Sequence, residues 1–118
     1  MDIHNYKRRF DRTVERIKES IDISKDNKEI ALKFKDYCIS DGIGVAKIER
    51  YLGDIMKYSK MLGKSFSKAS KDDLRRVVAE LEQTELSPET KKCFKIMLRK
   101  LYRFIEAFSD NRIIQKNS

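Results

Sequence analysis

The stretch VAKIERYLGDIMKYSKML, residues 45–62, decides the fold class. Val45, Ile48, Tyr51, Leu52, Ile55, Met56, Ser59 and Leu62 recur at intervals that put them on one side of a helix. A half-buried strand would alternate apolar and polar residues, and no stretch of the chain does so cleanly. Gly63 follows at once, and glycine readily takes the left-handed conformation that closes a helix.

Working outward, the same period returns on both sides. Residues 87–108 place Phe94, Met97, Leu98, Leu101 and Tyr102 on one face. Ser87 is a good N-cap, and Pro88 loses nothing at the first helical position, where its N–H would be unbonded anyway. Ser70 opens another helix with Asp73 reaching back as a capping-box partner, and Leu74, Val77, Val78 and Leu81 form its core face. Upstream, residues 27–40 turn Ile30, Phe34, Tyr37 and Cys38 inward before a glycine-containing stop, and residues 5–21 align Phe10, Val14, Ile17 and Ile21. The expected fold is all-α, with five helices.

The chain has 118 residues, 40% of them hydrophobic, which is enough for one modest core. Four Gly, one Pro and no Trp favour helices over strands. The opening MDIHNYKRRFDR is charged where a signal peptide needs an apolar run. No segment approaches the ~18 apolar residues of a membrane span, so a cytoplasmic, reduced protein without a membrane partner is expected. Cys38 and Cys93 match no metal or redox spacing and read as buried free thiols. His4 is the sole histidine, and no Gly-rich phosphate loop occurs. No catalytic residue, metal or cofactor is therefore expected, and the chain does not read as an enzyme. Asp72, Asp73 and Glu80 read as caps and surface partners.

The 27 Lys and Arg outnumber 19 Asp and Glu, a formal charge of +8 that favours an anionic partner. The surplus is local: residues 45–64 carry five cations against two anions, and residues 87–118 carry eight against three. On the first of these helices Arg50, Lys57, Lys60 and Lys64 share an arc opposite Ile48. On the second Lys92, Lys95, Arg99 and Arg103 do so opposite Leu98, with Lys100 further round. The second arc has no acids at i+4, whereas Glu49 and Asp54 flank the first and weaken its case. Like charges one turn apart repel by a few tenths of a kcal/mol per pair. A phosphate backbone would relieve that repulsion and release counterions. Gly53, mid-helix on the polar side, would leave room for such a backbone. Tyr51, Tyr58, Tyr102 and Phe104 lie on or beside the core arcs and read as packing rather than as a base-stacking set.

Three stretches carry a resemblance to a known family. EIALKFKDYCISDGIG resembles the opening helix of the N-terminal core-binding, SAM-like domain of the tyrosine recombinases, the phage-integrase and Xer-type family. GVAKIERYLGDIMKYSKMLGKSF resembles its long second helix, with Tyr51 at the aromatic position, and LSPETKKCFKIMLRKLYRFIE resembles its last. Lys47 departs from the family, which commonly has Thr there, and would exchange a hydroxyl contact to phosphate for an ionic one.

The resemblance implies a compact bundle of four to five helices that clamps one side of duplex DNA, its second and fourth helices approaching the major groove. It implies DNA contact by Lys47, Arg50 and Lys57 on one helix, to which the basic arc adds Lys64. From the other it implies Ser87, Thr90, Lys91, Lys92, Lys95 and Arg99. Phosphates would be held by these cations and by free N–H groups at the Ser87–Thr90 helix start, with any base reading by Arg99, Lys95 or Thr90.

The family's catalytic Arg, Lys, His-x-x-Arg and Tyr set has no match, so a separate C-terminal catalytic domain of the same parent chain is an implied partner, as is a homo-oligomer on DNA. The resulting division is an N-terminal amphipathic helix (1–24), a helical core-binding domain (25–109) and a C-terminal linker or tail (110–118). The alternative is a helical protein-interaction module that docks through the stripe of residues 5–21.

Overall fold

A computed structural model describes the backbone of residues 3–117 and the side chains of residues 7–108. Five helices follow one another: α1 (Ile3–Glu19), α2 (Lys25–Ser40), α3 (Val45–Leu62), α4 (Lys71–Glu82) and α5 (Pro88–Asn117), with a 3-10 turn at Phe66–Lys68 between α3 and α4. No strand occurs among the described residues, so the all-α expectation holds.

The central element is α3, which touches all four other helices. Its buried side is wide because Ile48, Tyr51, Leu52, Ile55, Tyr58, Ser59 and Leu62 face in more than one direction around the helix. Gly63 ends it in the left-handed region at φ 72°, its N–H bonded to the Ser59 carbonyl, as glycine at that position predicts. At α4 both halves of the capping box form: Ser70 Oγ accepts from the Asp73 N–H, and Asp73 accepts from the Ser70 N–H. At α5 the Ser87 hydroxyl caps the Thr90 N–H at 3.2 Å.

Two expectations are corrected. The first helix ends at Glu19 instead of Ile21, because Ser20 leads into a bend in which its hydroxyl accepts from the Asp22 N–H. Ile21 is then 97% exposed, and Ile23 is buried instead. Secondly, the stripe of α1 is not free for a partner. Val14 and Ile17 belong to the same core as α2 to α5, and the broadest helix contact in the molecule is α1 on α3. The backbone of residues 110–117 continues α5 as helix, and Ser118 lies outside the described residues.

The connection between α3 and α4 is more than a spacer. Phe66 is fully buried and stacks on Tyr58, ring centroids 5.3 Å apart. Asn27, in the first turn of α2, accepts from the Phe66 N–H at 2.8 Å and donates to the Lys64 carbonyl at 3.1 Å. Tyr102 on α5 donates its hydroxyl to the Phe66 carbonyl at 3.0 Å. That proton being used, the hydrogen bond between the two phenols must be donated by Tyr58.

Asn27→Ala would strip partners from the Phe66 N–H and the Lys64 carbonyl. Buried groups so orphaned cost ~1–3 kcal/mol each, so urea unfolding should show a loss of about 2–4 kcal/mol. A loss below about 1 kcal/mol would mean that the clamp contributes little beyond an ordinary net hydrogen bond.

Candidate nucleic-acid interface

Burial on α3 leaves a narrow outward strip of Ala46, Arg50, Gly53, Lys57 and Lys60, one helical turn apart. Among the described residues Arg50, Lys57 and Lys60 make no salt bridge, and Lys47 stands exposed beside them. Asp54 lies at the strip's edge. Burial pushes its carboxyl up while Arg50 and Lys57 pull it down, and its Oδ2 is buried without a hydrogen-bond partner. Gly53 is open: a Cβ there would meet nothing within 4 Å.

Lys64 differs from the rest of its arc. Its ammonium bonds Asp73 Oδ2 of α4 at 2.9 Å, joining the end of α3 to the capping box. Arg76 strengthens the same seam by donating to the Met61 and Leu62 carbonyls at the end of α3. The Ser70 N–H first, and the Lys64 ammonium second, hold the Asp73 carboxyl down at about 2.

On α5 the outward strip is Lys92, Ile96, Arg99 and Arg103. Its two margins are tied down. Lys95 bonds Glu82 of α4 at 2.8 Å on one side, and Lys100 reaches Asp41 at the end of α2 at 3.9 Å on the other. Lys91 donates to the Glu82 carbonyl at 2.9 Å. Lys91, Lys92, Lys95 and Arg99, four of the cations implied in DNA contact, thus line one cleft of ≈ 380 Å³ with Glu82, Pro88 and Ile96. That cleft contains no residue of α3, so Lys47, Arg50 and Lys57 form a separate group.

The start of α5 is less available to phosphate than its sequence suggests. Pro88 has no N–H, the Thr90 N–H is held by Ser87 Oγ, and the Lys91 N–H by the Ser87 carbonyl. Only the Glu89 N–H lacks one of these partners, and it comes with a carboxylate. The Ser87 and Thr90 hydroxyls also bond each other at 2.9 Å.

Sequence reasoning missed the tertiary ion pairs at Lys64 and Lys95, because their acids lie on another helix. It also passed over α1, where Arg8, Arg12 and Arg16 are exposed and make no salt bridge with described residues. Glu15 and Glu19 had diluted that segment's charge. The aromatic residues resolve as packing: Tyr51, Tyr58 and Phe104 are buried. Burial also pushes the Cys38 thiol up to about 11, which keeps it protonated. Among the described residues no group of His, Cys, Asp or Glu is placed to hold a metal ion, and no helix is long and apolar enough to cross a membrane. No family model, curated protein or solved structure matches the chain.

Gly53→Ala should raise stability by up to ~1 kcal/mol, because an exposed helix interior favours Ala and nothing blocks its methyl. Denaturant unfolding checks this, and a destabilised variant would reveal a neighbour the structure does not contain. Asp73 makes a signed pH prediction. Its folded carboxyl is depressed, so its charge contributes stability that is complete above the ordinary 3.8 and is lost as pH falls through about 2. Asp73→Asn keeps an acceptor for the Ser70 N–H. Its deficit against the wild type should be present at pH 6 and shrink across that acid window in urea titrations; a deficit constant with pH would exclude the charge as its cause.

Proposed function

We propose that the chain is a duplex-DNA-binding helical domain that grips phosphates with the exposed cations of α3 and α5. In this reading it positions a separate catalytic domain, as the resemblance to the tyrosine-recombinase core-binding domain implies, and has no chemistry of its own. The observation that carries it is the pattern of pairing. Cations at the strip margins, Lys64, Lys95 and Lys100, are tied to carboxylates, whereas Arg50, Lys57, Lys60, Lys92, Arg99 and Arg103 along the strips have none within salt-bridge distance among the described residues. Unpaired like charges one turn apart are unfavourable in the free protein and are relieved by an external polyanion. The interaction-module alternative has less apolar surface to offer, since Val14 and Ile17 of the α1 stripe lie in the core.

Affinity for an arbitrary short duplex should be modest, roughly 10⁻⁴ to 10⁻⁶ M at physiological salt. If all six unpaired cations engage, raising salt from about 50 to 200 mM should weaken binding by on the order of 10³-fold. Lys92→Glu with Arg99→Glu reverses two exposed charges that make no salt bridge among the described residues, and should reduce affinity at least about tenfold while leaving the unfolding curve unchanged. Fluorescence anisotropy with a labelled duplex measures both. Absent or salt-insensitive binding by the wild type would sink the DNA reading.

A further inference from the structure

Lys95 lies inside the basic cleft of α5, yet its ammonium is engaged by Glu82. The surroundings of Glu82 are unusual for a surface acid. It closes the last turn of α4, which carries no cation of its own, so the helix's partial negative end and the carboxylate lie together. Both are met by α5: Lys91 bonds the Glu82 carbonyl and Lys95 its carboxylate. Lys95 and Lys91 also hold the Glu82 carboxyl below its ordinary range, so it stays charged at neutral pH.

We propose that Glu82 occupies the place of a nucleic-acid phosphate on α5, as an internal anion that a phosphodiester must displace from Lys95. The inference rests on the DNA reading above and adds to it a residue that sets how strongly the cleft accepts anions. The side chains of Lys95 and Glu82 remain 36% and 50% exposed, so the pair is solvated and weak enough to exchange. A carboxylate offers Lys95 a single negative charge and two acceptor oxygens, much as a phosphodiester does. Lys92 and Arg99, already free in the same cleft, would make the first contact, and Lys95 would follow by exchanging partners. In the free protein Glu82 thereby lowers the attraction of the cleft for isolated small anions, which lack the several charges that engage Lys92, Lys95 and Arg99 together.

The test is anisotropy titration of a labelled short duplex at two salt concentrations with the wild type, Glu82→Gln, Lys95→Gln, the double variant, and Glu85→Gln. Glu85 is exposed three residues further on and makes no salt bridge among the described residues, so it reports the general effect of removing a negative charge. Glu82→Gln should bind about two- to fivefold tighter than wild type. Glu85→Gln should gain less, and the Glu82→Gln gain should disappear in the Lys95→Gln background. Equal gains from Glu82→Gln and Glu85→Gln, or a gain that survives Lys95→Gln, would overturn the inference while leaving the DNA reading intact. A wild type without salt-dependent binding would overturn both. Thermal unfolding of each variant separates these results from damage to the α4–α5 seam: a Glu82→Gln protein that loses stability without gaining affinity assigns the pair to structure alone.

Discussion

The bundle depends on how the backbone of Phe66 is satisfied. The connection between α3 and α4 runs over the surface except at Phe66, which is buried, and a buried peptide unit without partners is strongly unfavourable. The Phe66 N–H has no partner within its 3-10 turn, and its carbonyl accepts there only a long bond, 3.4 Å, from the Ala69 N–H. Asn27 takes the first and Tyr102 the second, while the ring lies on Tyr58. One residue is thus held by side chains from α2, α3 and α5. Because Tyr58 also meets Phe94 edge-on and Tyr102 at 84°, the same point fixes how α3 and α5 cross.

That arrangement explains where the charges can go. A second aromatic group, Phe34 with Tyr51 and Phe104 and Tyr37 with Phe104, packs α2 between α3 and α5. With one side of α3 and one side of α5 committed to these rings, each helix has only a narrow strip left for its cations. The strips are regular because the packing behind them is. Acids on α2 and α4 can reach only the margins, which is why Asp41, Asp73 and Glu82 hold Lys100, Lys64 and Lys95 and leave the central cations unpaired.

The helices were readable because their signals are local. Gly63, Ser70 with Asp73, and Ser87 before Pro88 each act within one turn of themselves, and the structure uses them as the sequence implies. The end of α1 was not readable in the same way, since Ile21 and Ile23 are equally apolar and only the bend at Ser20 decides which is buried. Asn27 and Phe66 were invisible for another reason. They lie 39 residues apart, and a polar residue at the start of a helix looks like a surface residue until its distant partner is known. The candidate interface divides along the same line. Which cations share a helix face follows from periodicity, whereas which of them are already neutralised depends on tertiary neighbours such as Glu82.

The two phenols at the hub give the fold an alkaline limit. Burial above all pushes both Tyr58 and Tyr102 up from their ordinary 10.0, so each keeps its proton at pH values where the same residue in an unfolded chain has lost it. The stability this arrangement provides is complete below pH 10.0 and declines as pH rises beyond it, because the unfolded chain then gains by ionising and the folded one does not. The chain of donors from Tyr58 through Tyr102 to the Phe66 carbonyl runs in one direction only. Loss of the Tyr102 proton would therefore set a phenolate charge against the Phe66 carbonyl oxygen at the point where three helices meet.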